Sequence, residues 1–148
     1  NPSLVGSEMC IRDRCFTEDT PLLILEHDAL FIEKLEHSVI LKSKFDIIGI
    51  NSPAAATRKA HQFHDIVQAG RSLIQPVPTV DEFNVPQGLA GNSAYIIKPA
   101  GAKSILDAAR EHGLWPNDAL MCKQIIPNLG VTKTYYTRVQ GLPSTTVS

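Results

Sequence analysis

Two carboxylates, Glu26 and Asp28, close the apolar run Leu22 to Leu25, with only His27 between them. A short apolar run bounded by polar residues reads as a buried strand. On an extended backbone, side chains at i and i+2 leave the same face, so this spacing aims both acids at one point. Like charges so placed repel unless a cation sits between them. A hard divalent ion with oxygen ligands is the usual solution. The expected chemistry is metal binding by Asp28 and Glu26 at the carboxyl edge of a sheet, where open α/β folds take their ligands. The plainer reading leaves both acids as solvated residues of a strand–helix turn.

Several elements are needed to position that pair. Pro21 marks the start of the strand Leu22 to Leu25. Ala29 to Lys42 carries Leu30, Leu35, Ile40 and Leu41, which fits a short helix. Phe45 to Ile50 reads as a second strand. Ser52 and Pro53 look like an N-cap and first-turn proline for a helix over Ala54 to Gln68. Gly70 to Gly91 holds Pro76, Pro78, Pro86 and Gly88, and reads as a long functional loop. Ser93 to Lys98 is a strand. Pro99 to His112 is a helix with Ala102, Ile105, Leu106 and Ala109 on one face and Gly113 as its stop. A short helix over Asp118 to Ile126 and a last strand over Val131 to Thr137 complete an α/β chain.

The 148 residues suffice for one domain with a real core. A 43% hydrophobic and 20% charged composition is that of an ordinary globular chain, and a net charge of −1 provides no field for nucleic acid. No apolar run approaches the ~20 residues that span a bilayer. Cys10, Cys15 and Cys122 form no CxxC pair, so reduced thiols and a cytoplasmic setting, at most peripheral to an inner membrane, are expected. Asn1 to Arg14, NPSLVGSEMCIRDR, shows no periodicity and resembles a translated sequencing adapter. It is set aside as a non-native or disordered leader, leaving 15–148 as the folding unit.

Two family resemblances compete. ILEHDALF and YIIKP resemble the acidic pocket and the lysine–proline turn of a response-regulator receiver domain. Four helix–strand steps between such motifs need about 90 residues, and only 70 separate Asp28 from Lys98. None of Asp46, Asp65 and Asp81 ends a convincing middle strand as a phosphoacceptor must. From Cys15 onward the order of motifs instead resembles glycosyltransferase family 25, which includes lipopolysaccharide-modifying and procollagen galactosyltransferases. The match lies in LILEHDALF, in GNSAYIIKPAGAKSIL (Gly91 to Leu106), in the turn Pro116 to Asp118, and in VQGLPSTT with Gln140, Ser144 and Thr145. His27 departs from the family, where Asp is commoner. The family's upstream strand and Arg-containing segment have no counterpart here, so the resemblance implies an N-terminally truncated fragment whose activity is in doubt.

What the resemblance implies is a partial GT-A-like, Rossmann-like domain with a mixed sheet flanked by helices. Its reaction would move a sugar, such as galactose, from a UDP-sugar or similar donor to a glycan or other hydroxyl acceptor with inversion. Mn²⁺ or Mg²⁺ would neutralise the departing diphosphate as a Lewis acid. Asp28 would be the direct metal ligand, and Glu26 would reach the ion through water or hold the ribose. Lys98 would end its strand near the nucleotide. Asp118, at a helix start that favours its ionised form, would be the general base. Arg58 and Lys59 could pair with a phosphate. Tyr95, Trp115, Tyr135 and Tyr136 could stack on sugar or base, though core packing explains them as well. His61, His64 and Asp65 read best as an exposed polar helix face. A third reading keeps the fold as a non-catalytic remnant, and a lost neighbouring strand would leave an open edge.

Overall fold

A computed structural model of the chain describes residues 12–54, 60–80, 88–89, 93–113 and 121–140. Residues 12–18 are helical. They lead into β1 (Leu22–Leu25), β2 (Ala29–Phe31), α1 (His37–Lys42), β3 (Ile47–Gly49) and α2 (Ala60–Ala69). Then follow β4 (Ile74–Pro76), β5 (Ala94–Ile97), α3 (Pro99–His112), β6 (Leu129–Thr132) and β7 (Thr137–Val139). The fold is α/β, with a mixed sheet flanked by helices. Five strands run in the order β1-β5-β3-β6-β4, and β2 with β7 forms a separate two-stranded sheet. Only β3 and β6 are parallel; β5 runs against both β1 and β3, and β4 runs against β6.

Strand residues alternate between the two faces of a sheet, and here both faces of the centre are covered. On one face Ile47, Tyr95, Ile97, Leu129 and Val131 meet Phe63 and Val67 of α2 and Ala102, Ile105 and Ala108 of α3. On the other, Ile48, Ala94 and Ile96 meet Ile40 of α1, Phe45 and Tyr136. Two-sided burial explains why β3 and β5 read as unbroken apolar runs rather than alternating ones. Each fully buried isoleucine in this arrangement contributes roughly 1.5–3 kcal/mol.

The helix α3 matches its expected bounds because its signals are local. Pro99 opens it, its apolar face is buried, and Gly113 ends it at φ 88° while its N–H donates to the Ala109 carbonyl at 2.8 Å. Gly101 lets this helix lie against β3. A Cβ there would stand 2.5 Å from Ile47 Cγ1 and 2.6 Å from the Asp46 carbonyl oxygen.

Four of the expected elements take a different form. Ala29 to Lys42 is not one helix: Ala29–Phe31 pairs with β7, and helix forms only from His37. Val131 to Thr137 is not one strand, since the chain leaves the large sheet after Thr132 and enters the small one at Thr137. The loop after Gly70 contains β4. Where described, 121–126 forms turns bridged to Gly88 through Cys122 instead of a helix. The leader boundary drawn at Arg14 falls inside a helix, whose Cys15 is fully buried and donates its thiol to the Thr20 carbonyl at 3.0 Å.

Candidate functional site at the acidic turn

β1 ends at Leu25, and residues 26–29 fold back as a tight turn in which the Ala29 N–H donates to the Glu26 carbonyl at 3.0 Å. The two acids therefore do not share one face of an extended strand, as their spacing predicted. Glu26 and His27 are exposed, whereas Asp28 is half-buried. One carboxylate oxygen of Asp28, Oδ1, is shut off from solvent and has no hydrogen-bond partner among the described residues. A buried oxygen of this kind is costly unless something positive or donating fills the place.

Residues distant in sequence hold this turn. The Glu26 N–H donates to the Ser93 carbonyl at 2.8 Å, and the Gln140 N–H donates to the Asp28 carbonyl at 2.7 Å. The Gln140 side-chain amide also reaches the Ala29 carbonyl at 3.5 Å. Glu26–Asp28, Ser93 and Gln140 thus come together although each lies in a different motif. Among the described residues no three His, Cys, Asp or Glu side chains gather into a metal-ligating group. A Mg²⁺- or Mn²⁺-type site that takes one or two carboxylates and completes its shell with phosphates and water does not need three.

Lys98 lies elsewhere. The ladder pairs Leu22 with Ile97 and Leu25 with Ala94, so Ser93 sits beside Glu26 and Lys98 at the opposite end of β5. Five residue steps at ~3.3 Å each put Lys98 about 16 Å along the strand from Ser93. Lys98 Nζ donates to the Ser43 carbonyl at 2.6 Å, just past the end of α1, and its backbone N–H donates to the Asp46 carbonyl at 2.9 Å. Burial lowers its pKa and the nearby Asp46 opposes that. The expected nucleotide contact is thus a tie between α1, β3 and α3, because β5 runs opposite to β1.

Asp118, Arg58, Lys59 and Trp115 lie outside the described residues, as do Ser144 and Thr145. No described Asp ends a middle strand: Asp46 precedes β3 and Asp65 lies on α2. Tyr95 and Tyr136 are buried core residues. Burial raises the Tyr136 pKa, with Glu36 and Glu33 adding to it. His61 and Asp65 form an exposed pair at 3.5 Å, as a solvated helix face should.

His64 departs from that face. Its Nδ1 lies 2.7 Å from the Tyr135 hydroxyl, and the two rings are tilted by 47°. Burial raises the Tyr135 pKa; a hydrogen bond with Gln68 lowers it, and Asp65 raises it further. Gln68 also donates to the Lys133 carbonyl at 2.8 Å. A second polar pair that sequence reasoning missed lies past β3. There the fully buried Thr137 hydroxyl donates to Asn51 Oδ1 at 2.9 Å. This pair and the bond from the Tyr136 N–H to the Ile50 carbonyl fasten the 133–137 stretch over the carboxyl end of β3.

No family model, curated protein or solved structure matches the chain. No described helix is long and apolar enough to cross a membrane.

Proposed function

We propose that the chain forms part of a GT-A-like, Rossmann-like glycosyltransferase, transferring a sugar from a nucleotide diphosphate sugar to a hydroxyl acceptor. One observation carries the reading: three of the four motifs that resemble family 25 meet at one turn. Glu26–Asp28, Ser93 and Gln140 are joined there by two backbone hydrogen bonds of 2.8 and 2.7 Å. Chance similarity of separate short motifs gives no reason for them to converge.

The residues present fit a divalent cation, because Asp28 Oδ1 is buried, acidic and without a hydrogen-bond partner among the described residues. Asp28 would hold the ion, which when bound supplies Lewis-acid neutralisation of the diphosphate leaving group. Glu26, exposed on the same turn, would accept a hydrogen bond from a ribose hydroxyl or from metal-bound water. The hydrogen bonds from Gln140 and to Ser93 fix the turn before any ligand arrives, so that little ordering is left to binding. Asp118 is the proposed general base that takes the acceptor proton, consistent with an inverting transfer.

The test is calorimetric titration of the folded chain with UDP in Mn²⁺, followed by an assay for UDP release from UDP-galactose. Saturable UDP binding that EDTA removes is the expected result. A folded chain that ignores UDP at millimolar concentration with Mn²⁺ present removes the reading.

A further inference from the structure

Among the described residues the outer edge of β1 is open: β1 is a terminal strand of the large sheet and its one strand neighbour there is β5. The bond from the Glu26 N–H to the Ser93 carbonyl fixes the phase of the ladder. Bonded pairs alternate along an antiparallel ladder, so Leu22 and Ile24 exchange bonds with β5, and Leu23 and Leu25 turn their N–H and C=O groups outward. Among the described residues nothing bonds to those four groups. The side chains of Leu23 and Leu25 are 40% and 44% exposed. They continue the face on which Ala94 and Ile96 are buried.

The opposite edge of the sheet is blunted. β4 ends in Pro76, and its Gln75 side chain is tied to the Val67 and Ser72 carbonyls at 2.9 and 2.8 Å. Prolines and occupied side chains are how edge strands avoid further pairing. β1 has neither: its four residues, LLIL, are uncharged and apolar. A row of outward donors and acceptors two residues apart specifies an extended strand as the neighbour, since neither a helix nor a lipid can answer that spacing.

Charge selects among strands. Asp19 precedes β1 and Asp28 follows it, and neither makes an ion pair among the described residues. A second copy pairing antiparallel would bring Asp19 of one chain toward Asp28 of the other, which is repulsive. We propose that the outer edge of β1 takes a strand from a polypeptide partner, an extended segment of alternating apolar residues flanked at both ends by lysine or arginine. Its backbone bonds Leu23 and Leu25, its apolar side chains cover theirs, and its basic ends face Asp19 and Asp28.

The probe is a synthetic peptide, Lys-Lys-Val-Thr-Val-Thr-Val-Lys-Lys with blocked ends, added to the full chain. Binding is followed by fluorescence anisotropy and by amide hydrogen exchange. The expected result is saturable binding with exchange at Leu23 and Leu25 slowed about tenfold or more. An otherwise identical peptide with alternate amides N-methylated should not bind. Leu23→Pro should abolish binding without costing a β5 bond, because that N–H points outward. If Leu23→Pro does not fold, Leu25→Lys keeps every ladder bond and should weaken the basic peptide at least tenfold. Absence of binding at millimolar peptide, or unchanged exchange at both leucines, overturns the proposal. So does equal binding of a peptide with glutamates in place of its lysines. Concentration-dependent self-association that Leu23→Pro dissolves overturns it in favour of a second copy.

Discussion

Replacing Asp28 with asparagine separates a ligand-holding residue from a structural one, because the two roles move stability in opposite directions. Asp28 Oδ1 is buried with no hydrogen-bond partner among the described residues. An unsatisfied buried acceptor costs about 1–3 kcal/mol. Asp28 is only half-buried, so the lower end of that range, about 1 kcal/mol, is the fair figure. An uncharged amide in the same place costs less, and the backbone bond from Gln140 is untouched. Asp28→Asn should therefore leave the ligand-free melting temperature unchanged or raise it by roughly 2–4 °C. Ligand at a hundred times its Kd stabilises the native state by about 2.7 kcal/mol. For a chain of this length that is a rise of roughly 5–10 °C. Thermal melts with and without Mn²⁺ and UDP should show this rise in the native sequence and none in Asp28→Asn. A variant that melts several degrees lower without ligand, yet keeps the ligand-induced rise, refutes the argument.

Lys98→Met should leave UDP affinity unchanged in calorimetry. It should cost about 1.5–2 kcal/mol in urea unfolding, since a charge-assisted bond to the Ser43 carbonyl is lost. Gly101→Ala gains helix propensity worth about 1 kcal/mol but drives a methyl to 2.5 Å from Ile47 Cγ1. Overpacking of 1–3 kcal/mol makes the net change destabilising by about 1 kcal/mol, measured by the same unfolding curves. Folding raises the Tyr135 pKa above the ordinary 10.0, chiefly by burial. The folded state thus holds its proton longer than the unfolded one, and this contribution is complete below pH 10 and lost as pH climbs through the folded value. Urea unfolding between pH 9 and 11 should show falling stability, with a shallower fall in Tyr135→Phe.

Much of the fold was legible where its causes are local. The strand Ala94–Ile97 and the helix Pro99–His112 announce themselves through an apolar run, a first-turn proline and a closing glycine. β2 was not legible, because three residues become a strand only by pairing with Thr137–Val139 near the far end of the chain. Lys98 shows the same limit at the level of the site. That a lysine follows a strand can be read from sequence, but strand direction decides which edge it occupies. The antiparallel pairing of β5 with β1 sends it away from the acids. His64 reads as exposed from its helical spacing, yet Tyr135, 71 residues further along, covers it. The spacing of Glu26 and Asp28 predicts one face of an extended strand, but a turn closed by the Ala29 bond to the Glu26 carbonyl presents them instead.

The chain crosses from the large sheet to the small one twice, through Glu26–Asp28 after β1 and through 133–136 after β6. Of these two tethers, the second is pinned, because Ser52 and Asn51 grip Thr137. The first is held by its reverse turn, by the Glu26 bond to the Ser93 carbonyl and by the bond from Gln140. A tilt of the two-stranded sheet would therefore strain hydrogen bonds at both tethers. Because its own carbonyl accepts from Gln140 next to β7, Asp28 is carried on the short link that joins β1 to the small sheet.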